Sequence, residues 1–206
     1  MVIYEALDGQ VGSAVSAIVG LRAATWASHQ RLEKRLDIKS RFSRLDSYKA
    51  HLERMWGFCV AVERSIGSQL MDAALTDYES RRKLPLLTQD LAALGSDFRT
   101  VESLAQCLTI PACRDPASAF GCAYVLEGAT LGGRTLLPVI CERLGLSAER
   151  GATFFASYGD RVALMWREFG AALDGWCSSP ERRERASVMA VTTFTALDEW
   201  LCGTPA

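Results

Sequence analysis

The chain has 206 residues, enough for one domain with a substantial buried core. Its 23 Lys and Arg against 24 Asp and Glu leave a net charge of -1, which gives neither nucleic acid nor an anionic membrane surface a reason to bind. With 49% hydrophobic and 23% charged residues, the composition excludes a disordered chain.

Residues 1–15 read as an N-terminal extension. The start MVIYEALDGQ lacks a basic n-region, and the apolar stretch 11–21 is broken by Ser13, Ser16 and Gly20, so neither a signal peptide nor a membrane span is expected. From Ser16 to Leu36, apolar residues at Ile18, Leu21, Leu32 and Leu36, with Thr25, recur at three- and four-residue steps and predict a first helix. Asp46 is a candidate N-cap for a second helix through Leu52, Met55, Cys59, Val62 and Ile66. A shorter apolar segment runs from Leu84 to Leu94 and stops at Gly95. Asp115-Pro116 is a cap followed by proline at the first helical position, opening a helix towards Leu137. Ser147 is expected to open another helical stretch, Tyr158 to Trp176 forms a further one, and Ser179-Pro180 starts the last, which ends near Leu201. Residues 203–206 are a short tail. Without hairpin signals or sustained alternation, the reading is an all-α, single-domain helical bundle.

Seven cysteines are scattered and never spaced Cys-x-x-Cys, which argues against zinc ribbons and secreted disulfide frameworks. They read as small core hydrophobes in a reducing, cytoplasmic compartment. The only histidines, His29 and His51, exclude any site of three or four imidazoles and leave room for one metal ligand or one acid–base group. His51 lies in the charged run YKAHLER and reads as structural.

The first helix carries LRAATWASHQRLE, in which Arg22, Thr25, His29 and Glu33 form one stripe. Seven residues at about 100° each return Arg22 to within about 20° of His29. A ligating imidazole commonly gives its second N–H to a carboxylate, and Glu33 at i+4 could accept it. The same stripe also serves a plain helix with a stabilising neighbour. The later segment GCAYVLEGATLGGRT is stranger, because Gly121, Gly128, Gly132 and Gly133 each cost a helix up to about 1 kcal/mol relative to alanine. Gly121, Gly128 and Gly132 share a stripe that admits close approach by another helix or by a planar cofactor. The run is not a nucleotide fingerprint: the G-x-G-x-x-G spacing and the Walker lysine are both missing.

An imidazole on one helix and glycine-lined backbone on another suit a haem held between helices. LRAATWASHQRLE resembles the proximal-helix motif of haem oxygenases, YVLEGATLGGRTL is similar to their distal-helix motif, and RERASVMAVTTFTALDEWL is similar to their final helix. The resemblance spans residues 16–202 and implies a haem sandwiched between proximal and distal helices. It implies His29 as the iron ligand, with Glu33 hydrogen-bonding the far nitrogen and Arg22 facing a propionate. Gly128, Gly132 and Gly133 fall on the glycines that arch over the haem and crowd dioxygen towards one meso carbon. Phe194 falls on an aromatic lining the pocket. Arg167, and behind it Arg161, in YGDRVALMWREF are candidate further propionate partners or solvated surface arginines, and Tyr124 reaches a propionate or packs as a core aromatic. Ala129 departs from the family pattern: it replaces an aspartate that organises distal water. Glu127, about 100° from Gly128, is assigned no catalytic role.

The implied activity is oxidative opening of haem to biliverdin with release of iron and carbon monoxide, using dioxygen. No flavin or nicotinamide motif is visible, so electrons are expected from an external donor, a ferredoxin or reductase, and a phytochrome is a candidate receiver of biliverdin. The alternatives are a haem carrier or sensor on the same fold, favoured by Ala129, and a plain helical interaction module. A di-iron oxidase would use Glu-x-x-His pairs, and the residues three before His29 and His51 are Trp26 and Tyr48.

Overall fold

The computed structural model describes residues 16–72 and 75–203. The expected extension 1–15 and all of the expected tail except Gly203 lie outside the described residues. Within them the chain is helical: α1 (Ala17–Arg35), α2 (Ile38–Arg41), α3 (Leu45–Asp72), α4 (Tyr78–Arg81), α5 (Leu84–Ala93), α6 (Phe98–Glu102), α7 (Pro116–Leu144), α8 (Thr153–Ala156), α9 (Val162–Trp176) and α10 (Pro180–Cys202). Among the described residues there is no strand, only isolated bridges from Ser147 to Arg150 and Gly151. The long helices α1, α3, α7 and α10 pack around one core that includes Leu21, Leu52, Phe58, Ile66, Phe120 and Phe169, all fully buried.

Local chemistry sets the ends of the long helices. At α7, the Asp115 carboxylate accepts from the Ser118 N–H and Pro116 occupies the first turn, a cap worth about 1 kcal/mol. The helix passes the expected end at Leu137 and continues through Pro138, which forfeits the hydrogen bond to the carbonyl four residues back. It stops at Gly145, whose φ of 66° an ordinary side chain would resist. Ser179 caps α10 by accepting from the Arg182 N–H, as its sequence suggests.

Three expected boundaries are corrected. Asp46 is not the cap of α3 but lies in its first turn, since the helix already begins at Leu45. Ser147 opens no helix: its hydroxyl donates to Glu149, its N–H donates to the Arg150 carbonyl, and Gly151 follows at φ 83°. These local bonds compete with helix formation, and only the single turn of α8 follows. Residues 159–161 form a 3₁₀ turn, so regular helix begins at Val162 rather than Tyr158.

The helix bearing His29 is anchored at both ends. The Ala17 N–H and the Ser16 hydroxyl donate to the Asp174 carboxylate of α9, at 2.6 and 3.0 Å. Near the other end, Arg31 and Arg35 both donate to the buried Asp198 of α10, at 2.9 and 2.6 Å.

Candidate haem site between α1, α7 and α10

A cleft of about 240 Å³ is lined by Arg22, Thr25, Trp26 and His29 of α1, Tyr124 of α7 and Phe194 of α10. Three helices therefore bring together five of the residues singled out in the sequence. The His29 side chain is 28% exposed, and its Nδ1 lies 3.7 Å from a Glu33 oxygen, beyond direct hydrogen-bond length but close enough for charge to orient the ring. On the other side the Phe194 ring meets the imidazole edge to face, centroids 5.9 Å apart. Thr25 is buried and its hydroxyl donates back to the Leu21 carbonyl at 2.8 Å. The Tyr124 phenol is hydrogen-bonded with Thr25 and lies near Arg22; burial outweighs both and raises its pKa, so it stays protonated. Tyr124 also packs on Trp166, which holds the phenol in place.

The glycines of α7 divide by surroundings. A Cβ on Gly121 would come 2.3 Å from the Ala186 carbonyl, so the helix-packing alternative holds there: this glycine lets α7 and α10 touch. On Gly133 it would come 2.9 Å from the Phe155 carbonyl, against α8. On Gly132 it would meet nothing within 4 Å, leaving open space beside the helix. Gly128 is buried and Ala129 is exposed. Arg161 and Arg167 are exposed and do not line the cleft; Arg161 reaches Met165 Sδ at 3.5 Å.

Glu127 points into the bundle on another side of α7. Arg81 Nη1 donates to it at 2.9 Å, the Tyr158 phenol at 2.6 Å, and Lys83 Nζ lies 3.4 Å away. Lys83 is fully buried, and desolvation lowers its pKa against the pull of Glu127. A cavity of about 280 Å³ lies beside this network, lined by Glu63, Tyr78, Arg81, Arg82, Glu127 and apolar side chains. It shares no residue with the cleft at His29, whose chemistry is the one suited to a metal-bearing ring. His51 is buried against Phe42 and Phe155, so its reading as structural matches its surroundings.

The donor set at the cleft fits haem: one imidazole for iron, an aromatic face for the macrocycle, and a guanidinium and phenol for carboxylates. Among the described residues no three His, Cys, Asp or Glu side chains converge to hold a bare metal ion. No helix among them is long and apolar enough to cross a membrane.

Known proteins share this sequence pattern and fold. The heme oxygenase family model matches residues 16–202. A heme oxygenase from Xanthomonas campestris pv. campestris (strain 8004) is 26% identical over 149 residues, which cover 72% of this chain and 85% of that one. The NO- and CO-bound heme oxygenase of Neisseria meningitidis shares the fold with a TM-score of 0.75 at 23% identity, over 91% of each chain. The heme oxygenase of Leptospira interrogans does so with a TM-score of 0.70 at 15% identity, over 91% of this chain and 99% of that one. This chain belongs to the haem oxygenase family. It is an enzyme of that class, and haem is its ligand.

Proposed function

We propose that this enzyme opens haem to biliverdin, with release of iron and carbon monoxide, using dioxygen and electrons from an external donor. The observation that carries the reading is the convergence of His29, Arg22, Thr25, Tyr124 and Phe194 on one cleft. Residues 16–202 act as one catalytic unit in this reading, with short segments on either side.

His29 would hold the haem iron through Nε2, the nitrogen away from Glu33. The Glu33 carboxylate favours a proton on Nδ1 and so fixes the tautomer. Phe194 limits rotation of the imidazole from the opposite side. Arg22 and the Tyr124 phenol would take the carboxylates of the macrocycle. Haem supplies the iron at which dioxygen is activated. Gly128, Gly132 and Gly133 are the distal glycines of this reading; the open space at Gly132 supports it, whereas Gly133 packs on Phe155 of α8. Ala129 has no hydrogen-bonding side chain, so protons would reach the distal side through another group, water or backbone. Arg167 takes no direct part, because it stands outside the cleft.

A ferredoxin or reductase is the donor we infer, since the chain carries no flavin or nicotinamide motif. The cytoplasm, where such donors work, is the inferred compartment, and a phytochrome is the candidate acceptor of the product. Reconstitution with haem followed by ascorbate or reduced ferredoxin tests the reading: biliverdin absorbance and carbon monoxide should appear. Stable haem binding without ring opening would instead establish a carrier or sensor, the alternative that Ala129 favours.

A further inference from the structure

Cys113 and Cys122 stand apart from the other cysteines. Their sulfurs are 3.5 Å apart and share an S–H···S hydrogen bond. Neither is in a disulfide; Cys113 is 8% exposed and Cys122 is fully buried. Cys113 belongs to the coil that leads into α7, two residues before the Asp115 cap, whereas Cys122 lies in the second turn of the helix. Each has a hydroxyl behind it. The Cys113 N–H donates to Ser65 Oγ at 3.1 Å, and that hydroxyl donates to the Pro111 carbonyl at 2.9 Å. The Thr193 hydroxyl lies 3.2 Å from Cys122 Sγ.

We propose that Cys113 and Cys122 are a peroxide-sensitive dithiol, closed by hydrogen peroxide to an intramolecular disulfide that ties the entry coil to α7 directly behind the haem cleft. The two thiols have different roles. Cys113 is the thiol that retains contact with solvent and sits in coil, whereas Cys122 is sealed inside the helix, so peroxide meets Cys113 first. Hydrogen bonding with Cys122 also lowers the Cys113 pKa, which makes Cys113 the attacking thiolate and Cys122 the resolving thiol. The Cys113 thiolate displaces hydroxide from hydrogen peroxide and becomes a sulfenic acid; Cys122 then attacks that sulfur and water leaves. In sum, two thiols and one hydrogen peroxide give one disulfide and two waters. The sulfurs must close by about 1.5 Å to reach bonding distance. Cys113 can supply that movement because it lies in coil outside the helix. The position matters for the cleft: Tyr124 is two residues beyond Cys122, and Thr193 adjoins Phe194.

The test treats the full chain, with and without haem, with hydrogen peroxide, and then blocks remaining thiols with iodoacetamide. The intact mass should fall by about two hydrogens before blocking. Trypsin without reductant should release residues 100–114 joined to residues 115–134. Residues 100–114 also contain Cys107, so the joined pair should survive in C107S and vanish in both C113S and C122S. Dithiothreitol should restore both thiols. The proposal is overturned if peroxide drives these residues to sulfinic or sulfonic acids without cross-linking, or if the joined peptides persist in C113S. Because the wild-type map alone decides the first point, poor folding of a variant does not rescue the idea.

Discussion

Phe194 of α10 faces the His29 imidazole of α1 edge to face, with the ring planes 74° apart, so the candidate iron ligand is held by an aromatic from the last helix as well as by its own helix. Phe194→Ala would remove a buried ring and should cost about 3–5 kcal/mol in unfolding free energy. Haem should still bind, with a broadened Soret band from a less restrained imidazole. His29→Ala should do the reverse, leaving the melting temperature of the haem-free protein within a few degrees while abolishing or displacing the Soret band. An unaltered spectrum in His29→Ala would remove His29 as the ligand.

The glycines of α7 should respond with opposite signs. Gly121→Ala forces a methyl against the Ala186 carbonyl and should destabilise the haem-free protein. Gly132→Ala meets no obstacle and should stabilise it by about 0.5–1 kcal/mol through helix propensity. The same Gly132→Ala change should slow biliverdin formation by placing a methyl on the distal side. Denaturant unfolding and single-turnover absorbance separate the two effects.

Glu127 offers a control for the site. Glu127→Gln leaves Arg81 and Lys83 buried with a weakened partner, and should cost about 3 kcal/mol in stability. The haem spectrum should remain that of the wild type, since Glu127 does not line the cleft. A shifted Soret band with unchanged stability would place Glu127 at the haem instead.

His51 should make the protein acid-sensitive. Burial, with a smaller contribution from Arg41, pushes its pKa down from 6.5 to about 3, while the unfolded chain takes up the proton near its ordinary value. The unfolded state thus binds more protons between these limits. Stability is complete above about pH 6.5 and falls as the pH drops towards 3, with a slope of up to about 1.4 kcal/mol per pH unit from this group. In His51→Phe, which keeps an aromatic against Phe42 and Phe155, unfolding at pH 7 and pH 4.5 should differ by less than in the wild type.

Much of this was legible because the signals were local. Asp115-Pro116 and Ser179-Pro180 each hold a cap and a first-turn proline within two residues, and the chain obeys both. Arg22, Thr25 and His29 share a stripe on one helix, so one correct helix places all three. Trp26 lines the cleft but is 51% exposed, and as an aromatic between alanine and threonine it carries no pattern that marks a site. Arg81 and Lys83 fall in the run YESRRKL, which reads as a solvated charged face; only the return of α7 brings Glu127 to bury them. Ser147 misled for a related reason, because a good capping residue is also a good turn residue, and the Gly151 backbone decides between them. Arg167 could be read as a carboxylate partner or as a solvated surface arginine, and in this structure it is exposed and outside the cleft lining.

The two carboxylates that grip α1, Asp174 at its start and Asp198 near its end, belong to the helices on either side of it. Sliding or tilting α1 would break bonds at one end or the other, so the helix carrying His29 behaves as the fixed jaw of the cleft. α7 is held as well, since Gly121 seats it against α10 and Glu127 binds Arg81 and Tyr158. The imidazole is thereby placed before the macrocycle arrives, and removing either carboxylate should weaken haem binding without altering any side chain that lines the cleft.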